Sequence, residues 1–484
     1  MELLAEAAGL RTDERAQRMQ EVLAEIERRG LHSVRVSFAD LHGVLRGKTL
    51  RADLIADAFD NGVGITSALL LKDTGQRNVF PVWATGGGLE QPWLTGAGDV
   101  MMLPDPSTFR VLPWVDGTGW LLSDLVGPDG EAVDLSTRSI CRSAEQALED
   151  RGYALQAGLE VEFHLYRLAS AEDRDAVMQP SATAPVPLAL DVRHTHPGRV
   201  YLGETRFDLI EPFVGVLRDD LAALGMPPRS LEVELGPSQV ELTFSPGRAL
   251  EVADQAILLR SSVKQIARRN GWHATFMARP HVPESFSSGW HLHQSLVDRS
   301  GTNLFAAAES AGVLSTVGDH YLAGLLRHAV ESCLLTTPTV TGYKRYRSES
   351  LAPLCATWAR QHRGAMLRII GGNGAASTRI ENRVGDSAAN PYLYVASQIH
   401  AGSAGIDQAV AAPPAATNPY DEAEGERLPR TLDDAITAFA QSEMYRAALG
   451  TEFVDYLTAI KSAEWDRFVS AVTDWEQAEY FEFF

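Results

Sequence analysis

The sequence predicts an α+β protein, and three observations carry that prediction. Short segments alternate apolar and polar residues with the period of two that marks half-buried strands. Longer segments place apolar residues at helical spacing and end on Gly or Pro stops. Between residues 85 and 120 the chain is interrupted by GGG at 86–88 and by Pro92, Pro104, Pro106 and Pro113, which predicts a domain boundary near residues 105–120. The division is then a helical extension over residues 1–32, a first domain over 33–115 and a second over 116–484, within the about two to three domains that such a length allows.

Met19, Val22, Leu23 and Ile26 predict a helix over 14–29, stopped by Gly30. Val34, Val36 and Phe38 then alternate with polar neighbours as a strand. Further helices are predicted at 137–150, 207–224, 249–269, 317–335, 391–403, 431–447 and 451–463, several with clear stops such as Gly225 followed by Pro227 and Pro228. Pro391 suits a first helical turn, and AVAAPPAAT at 409–417 reads as a surface loop.

Composition narrows the function classes. With 45% hydrophobic and 22% charged residues the chain is ordinary globular protein. Lys and Arg total 43 against 63 Asp and Glu, a formal charge of −20, and a surface so acidic repels a nucleic-acid backbone. Cys141, Cys333 and Cys355 are too few and too scattered for a disulfide framework or a zinc knuckle. No apolar run approaches the roughly 18 residues needed to span a bilayer. The N-terminus lacks the basic and apolar blocks of a signal peptide, so the expectation is a cytoplasmic protein with no membrane partner.

Four strands carry the candidate chemistry. In GLEVEFHLY, Glu160, Glu162 and His164 oppose Val161, Phe163 and Leu165. In SQVELTF, Gln239, Glu241 and Thr243 oppose Val240, Leu242 and Phe244; in GWHLHQSL, His291, His293 and Ser295 share a face; in TRIENRV, Arg379, Glu381 and Arg383 share another. Any one could be a plain solvent face over a core. Together they bring several carboxylates into one protein, and clustered carboxylates stay ionised only when cations share the site. Carboxylates with imidazole and no thiolate suit Mg²⁺ or Mn²⁺ rather than zinc. Two such ions beside arginines are what phosphoryl transfer requires, because charge must be neutralised on the transferring group. Arginines are plentiful after residue 340, in YKRYR and at Arg363, Arg368, Arg379 and Arg383. There is no GxxxxGK[ST] loop, no GxGxxG after a strand, and GGNG at 371–374 reads as a turn.

From about residue 33 to the C-terminus the chain resembles the glutamine synthetase superfamily, of the bacterial type I length class. Its landmarks stand in family order: ADLHGVLRGK, LPDPSTFRVLPW, GLEVEFHLY, ELGPSQVE, SGWHLHQSL, TPTVTGYKR, RQHRGAMLR, RIENR, DSAANPYLY and LPRTLDDAI. Each is weak alone; the ordered set is specific. The resemblance implies a β-grasp-like N-terminal domain and a C-terminal catalytic domain with a curved antiparallel sheet flanked by helices. It implies ATP and glutamate as substrates, two or more Mg²⁺ or Mn²⁺ ions per site, and a homo-oligomer, a dodecamer of two stacked hexameric rings. By the same resemblance Glu162, Glu234 and Glu241 would ligate the metal beside the acyl substrate, and Glu160, His291 and Glu381 the metal bridging the nucleotide phosphates. Glu232 competes with Glu234, which the seven-residue step to Glu241 favours. Arg345 would clamp the glutamate α-carboxylate, a bidentate task that Lys could not mimic. Arg363, Arg368 and Arg383 would surround the γ-phosphate and acyl phosphate, while His293, Ser295, Arg379 and again Arg368 would serve the nucleotide.

Two departures bear on the nucleophile. The family holds ammonium with an Asp in a Phe-Asp-Gly-Ser-Ser segment, but the matching stretch here, GITSALLLKD at 64–73, has no Asp at that point. The family also places a Glu six residues after the YKR arginine, where this chain has Leu351, which can neither bind a cation nor accept its proton. The loop lining the glutamate site is altered too, reading SFSSGWH at 285–291, with Ser287 expected on the substrate. An intact phosphate and glutamate apparatus with a dismantled ammonium pocket implies a ligase that joins glutamate to an organic amine. A protonated amine would need an acid, for which Glu349 or Asp73 are nearest; a neutral aromatic amine would not. Leu351, Trp290, Phe286 and Trp358 offer the apolar option. A true glutamine synthetase and a non-catalytic relative stay open at this point.

Overall fold

A computed structural model describes residues 3–89, 91–169, 190–307, 312–347, 351–372 and 374–484. Two sheets organise it. The first holds β1 (Ser33–Ala39), β2 (Leu45–Arg51), β3 (Val63–Thr66), β4 (Asp99–Pro104), β5 (Arg110–Val111) and β6 (Thr118–Val126), in the order β2-β1-β6-β4-β3 with β5 on β6. Val34, Val36 and Phe38 are buried as their alternation predicts. The parallel pair β1/β6 lies within this sheet. The chain therefore stays in the first sheet through Val126, past the division expected at residue 115. The Gly and Pro residues between 85 and 113 break local structure without ending the layer, because β6 pairs with strands far earlier in sequence.

The second sheet is built on one long strand, β7 (Ala154–Leu168). Its main path runs β14-β15-β16-β13-β7-β10-β9, from Trp358–Arg360, Leu367–Ile370, Arg379–Asn382 and Trp290–Val297 through β7 to Gln239–Thr243 and Ser230–Val233. β8 (Val192–His194), β11 (Gly247–Arg248) and β12 (Trp272–Thr275) also pair with β7. All these pairings are antiparallel except β14 with β15, so the α+β expectation holds. Helices Thr137–Asp150, Ala249–Arg269 and Pro391–Asp407 follow the predicted segments and bury their apolar stripes. Three expected helices are interrupted. The segment expected at 207–224 restarts at Glu211, with Pro212 in the new first turn because its ring cannot follow a helical carbonyl four residues back. That expected at 317–335 breaks at His328, and that at 431–447 breaks before Ser442, whose hydroxyl accepts from the Tyr445 N–H to cap a new helix.

A buried ionic cluster joins the two halves. Arg138, on Thr137–Asp150, donates to Asp105 and Asp124 of the first-sheet region and to Asp254 of helix Ala249–Arg269, each at 2.7–3.0 Å. Among the described residues no helix is long and apolar enough to cross a membrane.

Candidate active site

Strand register assembles the site. On β7, Glu160 stands opposite His291 of β13 and Glu162 opposite Glu241 of β10. Glu232 of β9 faces Glu241 in turn. On the other side His293 faces Glu381 of β16, and Arg368 of β15 faces Glu381. The four polar faces read from sequence therefore converge on one surface.

Two cavities open there. One, of about 400 Å³, is lined by Glu162, Glu234, Glu241, Arg345, Arg363 and Arg383, with Ser287, Phe286 and Leu351 among its other walls. The second, of about 550 Å³, is lined by His293, Ser295, Arg379, Glu232, Asn303 and Phe244 among others. Glu160 lines both, so the cavities meet at its carboxylate. Among the described residues, none that lines either cavity precedes Gln156.

On the second-cavity side the charges are balanced by the protein itself. Glu160 accepts from His291 Nδ1 at 2.6 Å and from His293 Nε2 at 2.8 Å. Burial acts to raise its pKa, but these hydrogen bonds and the imidazole charges outweigh it and hold the carboxyl well below the usual range. Glu381 is fully buried, bonded by Arg383 and by Arg368 at 2.9 Å. Burial raises it too; Arg383, His291 and His293 overcome that and keep it ionised.

The other side has no such balance. Burial, then Glu160, Glu162, Glu234 and Glu232, push the Glu241 carboxyl up to about 11. Glu162 is pushed up to about 8 by burial and Glu234, although the Gly289 N–H and Gln239 Nε2 donate to it at 2.9 and 2.7 Å. Glu234 is raised by burial as well. Potential ligand atoms lie within 4.8 Å of one another in three sets: Glu160, Glu241 and His291; Glu160, His293 and Glu381; and Glu232, Glu234 and Glu241. Oxygen-rich sets with imidazole and no thiolate, carrying carboxyls that cannot all ionise alone, fit hard divalent cations. The sets also place His293 beside Glu160 and Glu381, a position the sequence reading had reserved for ATP contact. Glu232 and Glu234 both reach Glu241, but Glu232 faces the second cavity and Glu234 the first.

Arg345 is 4% exposed, and its guanidinium donates to the carbonyls of Val384 and Gly385 at the first cavity's wall. Gly289 makes room for it: a Cβ there would lie 2.5 Å from Arg345 Nη2. Leu351 borders the cavity half-exposed, with φ 61°, an uncommon region for Leu, and its carbonyl accepts from Arg383 Nη2 at 3.3 Å.

Three expected residues fall elsewhere. Trp290 is 1% exposed and packs edge-on against Tyr394, because as the neighbour of His291 on β13 it must point to the opposite face. Trp358 borders a separate cavity with Gly312–Asp319 and donates to Pro413 O. Asp73 is buried in an ion pair with Arg467 and accepts from the Arg77 N–H, so its carboxylate is already engaged. Glu349 lies outside the described residues. Phe286, expected as part of an apolar wall, does line the first cavity, and Gln239 and Arg279 join it without an expected role there. Gln239 was legible, sharing its face with Glu241; Arg279 sits in an irregular segment that has no period to read.

Comparison with known proteins adds the following. Residues 134–480 match the family model described as glutamine synthetase, catalytic domain. A γ-glutamylanilide synthase from Acinetobacter sp is 40% identical, covering 98% of this chain and 97% of the relative. A γ-glutamylethanolamide synthetase from Streptomyces coelicolor is 33% identical, covering 96% of each. The solved GmaS/ADP complex superposes with a TM-score of 0.78 at 26% identity, over 95% of this chain and 99% of that one.

Proposed function

The chain belongs to the glutamine synthetase family, and from that premise we propose that it is an ATP-dependent ligase joining the γ-carboxylate of glutamate to an organic amine of the neutral arylamine class. The observation that carries this reading is the lining of the first cavity: arginines and carboxylates together with Leu351, Phe286, Leu235 and Ala352, with Leu351 where the family places its ammonium-holding Glu. Full-length similarity to a γ-glutamylanilide synthase supports the choice of amine.

In this reading Glu162, Glu234 and Glu241 would hold a divalent ion on the acyl side, and Glu160, His291 and Glu381 would hold another on the nucleotide side. Such ions supply charge neutralisation on phosphate oxygens. Arg345 binds the α-carboxylate of glutamate. Arg363 and Arg383 flank the transferring phosphoryl group, and His293, Ser295, Arg368 and Arg379 serve the nucleotide. The γ-carboxylate oxygen takes the terminal phosphoryl group of ATP, giving γ-glutamyl phosphate and ADP. The amine nitrogen then attacks the acyl carbon, the C–O bond to phosphate breaks, and the nitrogen loses its proton as the amide forms. An arylamine reaches the acyl carbon already neutral, so no carboxylate is needed at the position of Leu351. Among the described residues no lining residue precedes Gln156, which fits a first sheet that would close a neighbouring subunit's site in the expected ring. Mass-spectrometric detection of a γ-glutamyl anilide from ATP, glutamate and aniline, dependent on Mg²⁺ or Mn²⁺, tests the assignment.

A further inference from the structure

The Pro283–Gly289 segment has no regular secondary structure, yet side chains from neighbouring strands hold it along its length. His194 Nε2 donates to Pro283 O at 2.8 Å, and the Tyr166 hydroxyl lies 3.2 Å from Ser285 Oγ. His164 makes two contacts: its Nε2 donates to Phe286 O at 3.1 Å, and its Nδ1 accepts from Ser288 Oγ at 3.3 Å. Gln239 Nε2 reaches Ser287 O and Ser288 Oγ, both at 3.1 Å, from the same amide that holds Glu162. The His164 and Tyr166 rings stack in parallel, and His164 is fully buried. A buried imidazole with both nitrogens spent on one loop fixes that loop's backbone, since losing either bond leaves a buried polar group unpaired.

What this framework presents to the cavity is Phe286, 42% exposed. The root of its side chain abuts Gly236, where a Cβ would come within 2.8 Å of Phe286 Cβ and 3.4 Å of Cγ. The side chain is therefore anchored at its root beside Gly236, and it lines the cavity that Leu351 borders. Of the three substrates, glutamate has only a short methylene stem between charged ends that the arginines suit, and His293, Ser295 and Arg379, assigned to the nucleotide, line the other cavity. An aryl amine brings an uncharged ring to this wall, for which Phe286 is an aromatic partner.

Resting on the ligase reading above, we propose that Phe286 determines amine specificity by packing against the hydrocarbon of an aryl amine, and that His164 is the positioning residue that fixes it. The test is steady-state kinetics with ATP, glutamate and a panel running from methylamine and isopropylamine to aniline. Phe286→Ala and Phe286→Asn should lower the aniline-to-methylamine ratio of kcat/KM at least about 10-fold, mainly through the amine KM. His164→Leu should lower the same ratio, while His164→Gln, which keeps a donor near the Nε2 position, should restore most of it. Circular dichroism and thermal melting identify any variant that fails to fold, and Phe286→Tyr, which keeps the ring, should then preserve the ratio. If the substitutions raise the KM of glutamate and leave the amine ratio unchanged, the assignment is overturned. If the unaltered enzyme makes only glutamine, the ligase reading itself falls, a separate outcome read from the wild-type panel alone.

Discussion

Two halves of one sheet face meet at Glu160 and solve the same electrostatic problem differently. Around Glu381 the protein supplies its own cations, and Arg368 and Arg383 bind a carboxylate that is fully buried. Among the described residues no ion pair reaches Glu241, and Glu160, Glu162, Glu234 and Glu232 crowd a carboxyl that burial pushes up to about 11. The difference teaches where charge must come from outside. The Glu241 half has the donor chemistry that suits a divalent ion, whereas the Glu381 half is partly neutralised before any ligand arrives.

The largest expected effect follows from that contrast. Glu241→Gln should reduce amide formation by at least about 10³-fold, the loss of several kcal/mol of charge stabilisation, and weaken Mn²⁺ binding in calorimetry. It should also stabilise the metal-free protein by about 1–3 kcal/mol, because an uncompensated buried carboxyl is removed. Arg383→Met should do the reverse in the balanced half. It leaves Glu381 buried without its partner and should destabilise the metal-free fold by about 3–5 kcal/mol in urea denaturation. Opposite signs for the two substitutions support the contrast; equal signs break it.

A pH series sharpens it further. The folded pKa values of Glu162 and Glu241 are raised, Glu162 to about 8. Their contribution to stability is thus present below the unfolded carboxyl value of about 4.3 and lost as pH rises through the folded values. The melting temperature of the metal-free protein should fall between pH 5 and 8.5, and the gain on adding Mg²⁺ should grow over the same interval. A metal-induced gain independent of pH would contradict this. Gly289→Ala is the smallest of these tests. Its Cβ would press on the Arg345 guanidinium and should raise the glutamate KM about 10-fold, a cost of about 1.4 kcal/mol, with the ATP KM little changed.

The sequence made the polar strand faces legible because a period of two needs only local residues. It could not supply register, so the pairing of Glu241 with Glu232 and the position of His293 beside Glu381 emerge only when strands distant in sequence align. Trp290 shows a subtler limit. Alternation already placed it opposite His291, but its apolar character drew it into the amine pocket, when the core had the stronger claim. The break at His328 carries no Gly or Pro to announce it, and Phe286 lies in a loop whose order comes from tertiary hydrogen bonds to His164.

The central claim, a glutamate ligase for an organic amine, is tested most directly by competing nucleophiles at saturating ATP and glutamate. The account predicts that kcat/KM for aniline exceeds that for ammonia by at least about 10²-fold, since hydrocarbon burial at about 0.8 kcal/mol per CH₂ replaces the missing ammonium acids. Ammonia as the best nucleophile across the panel would contradict it.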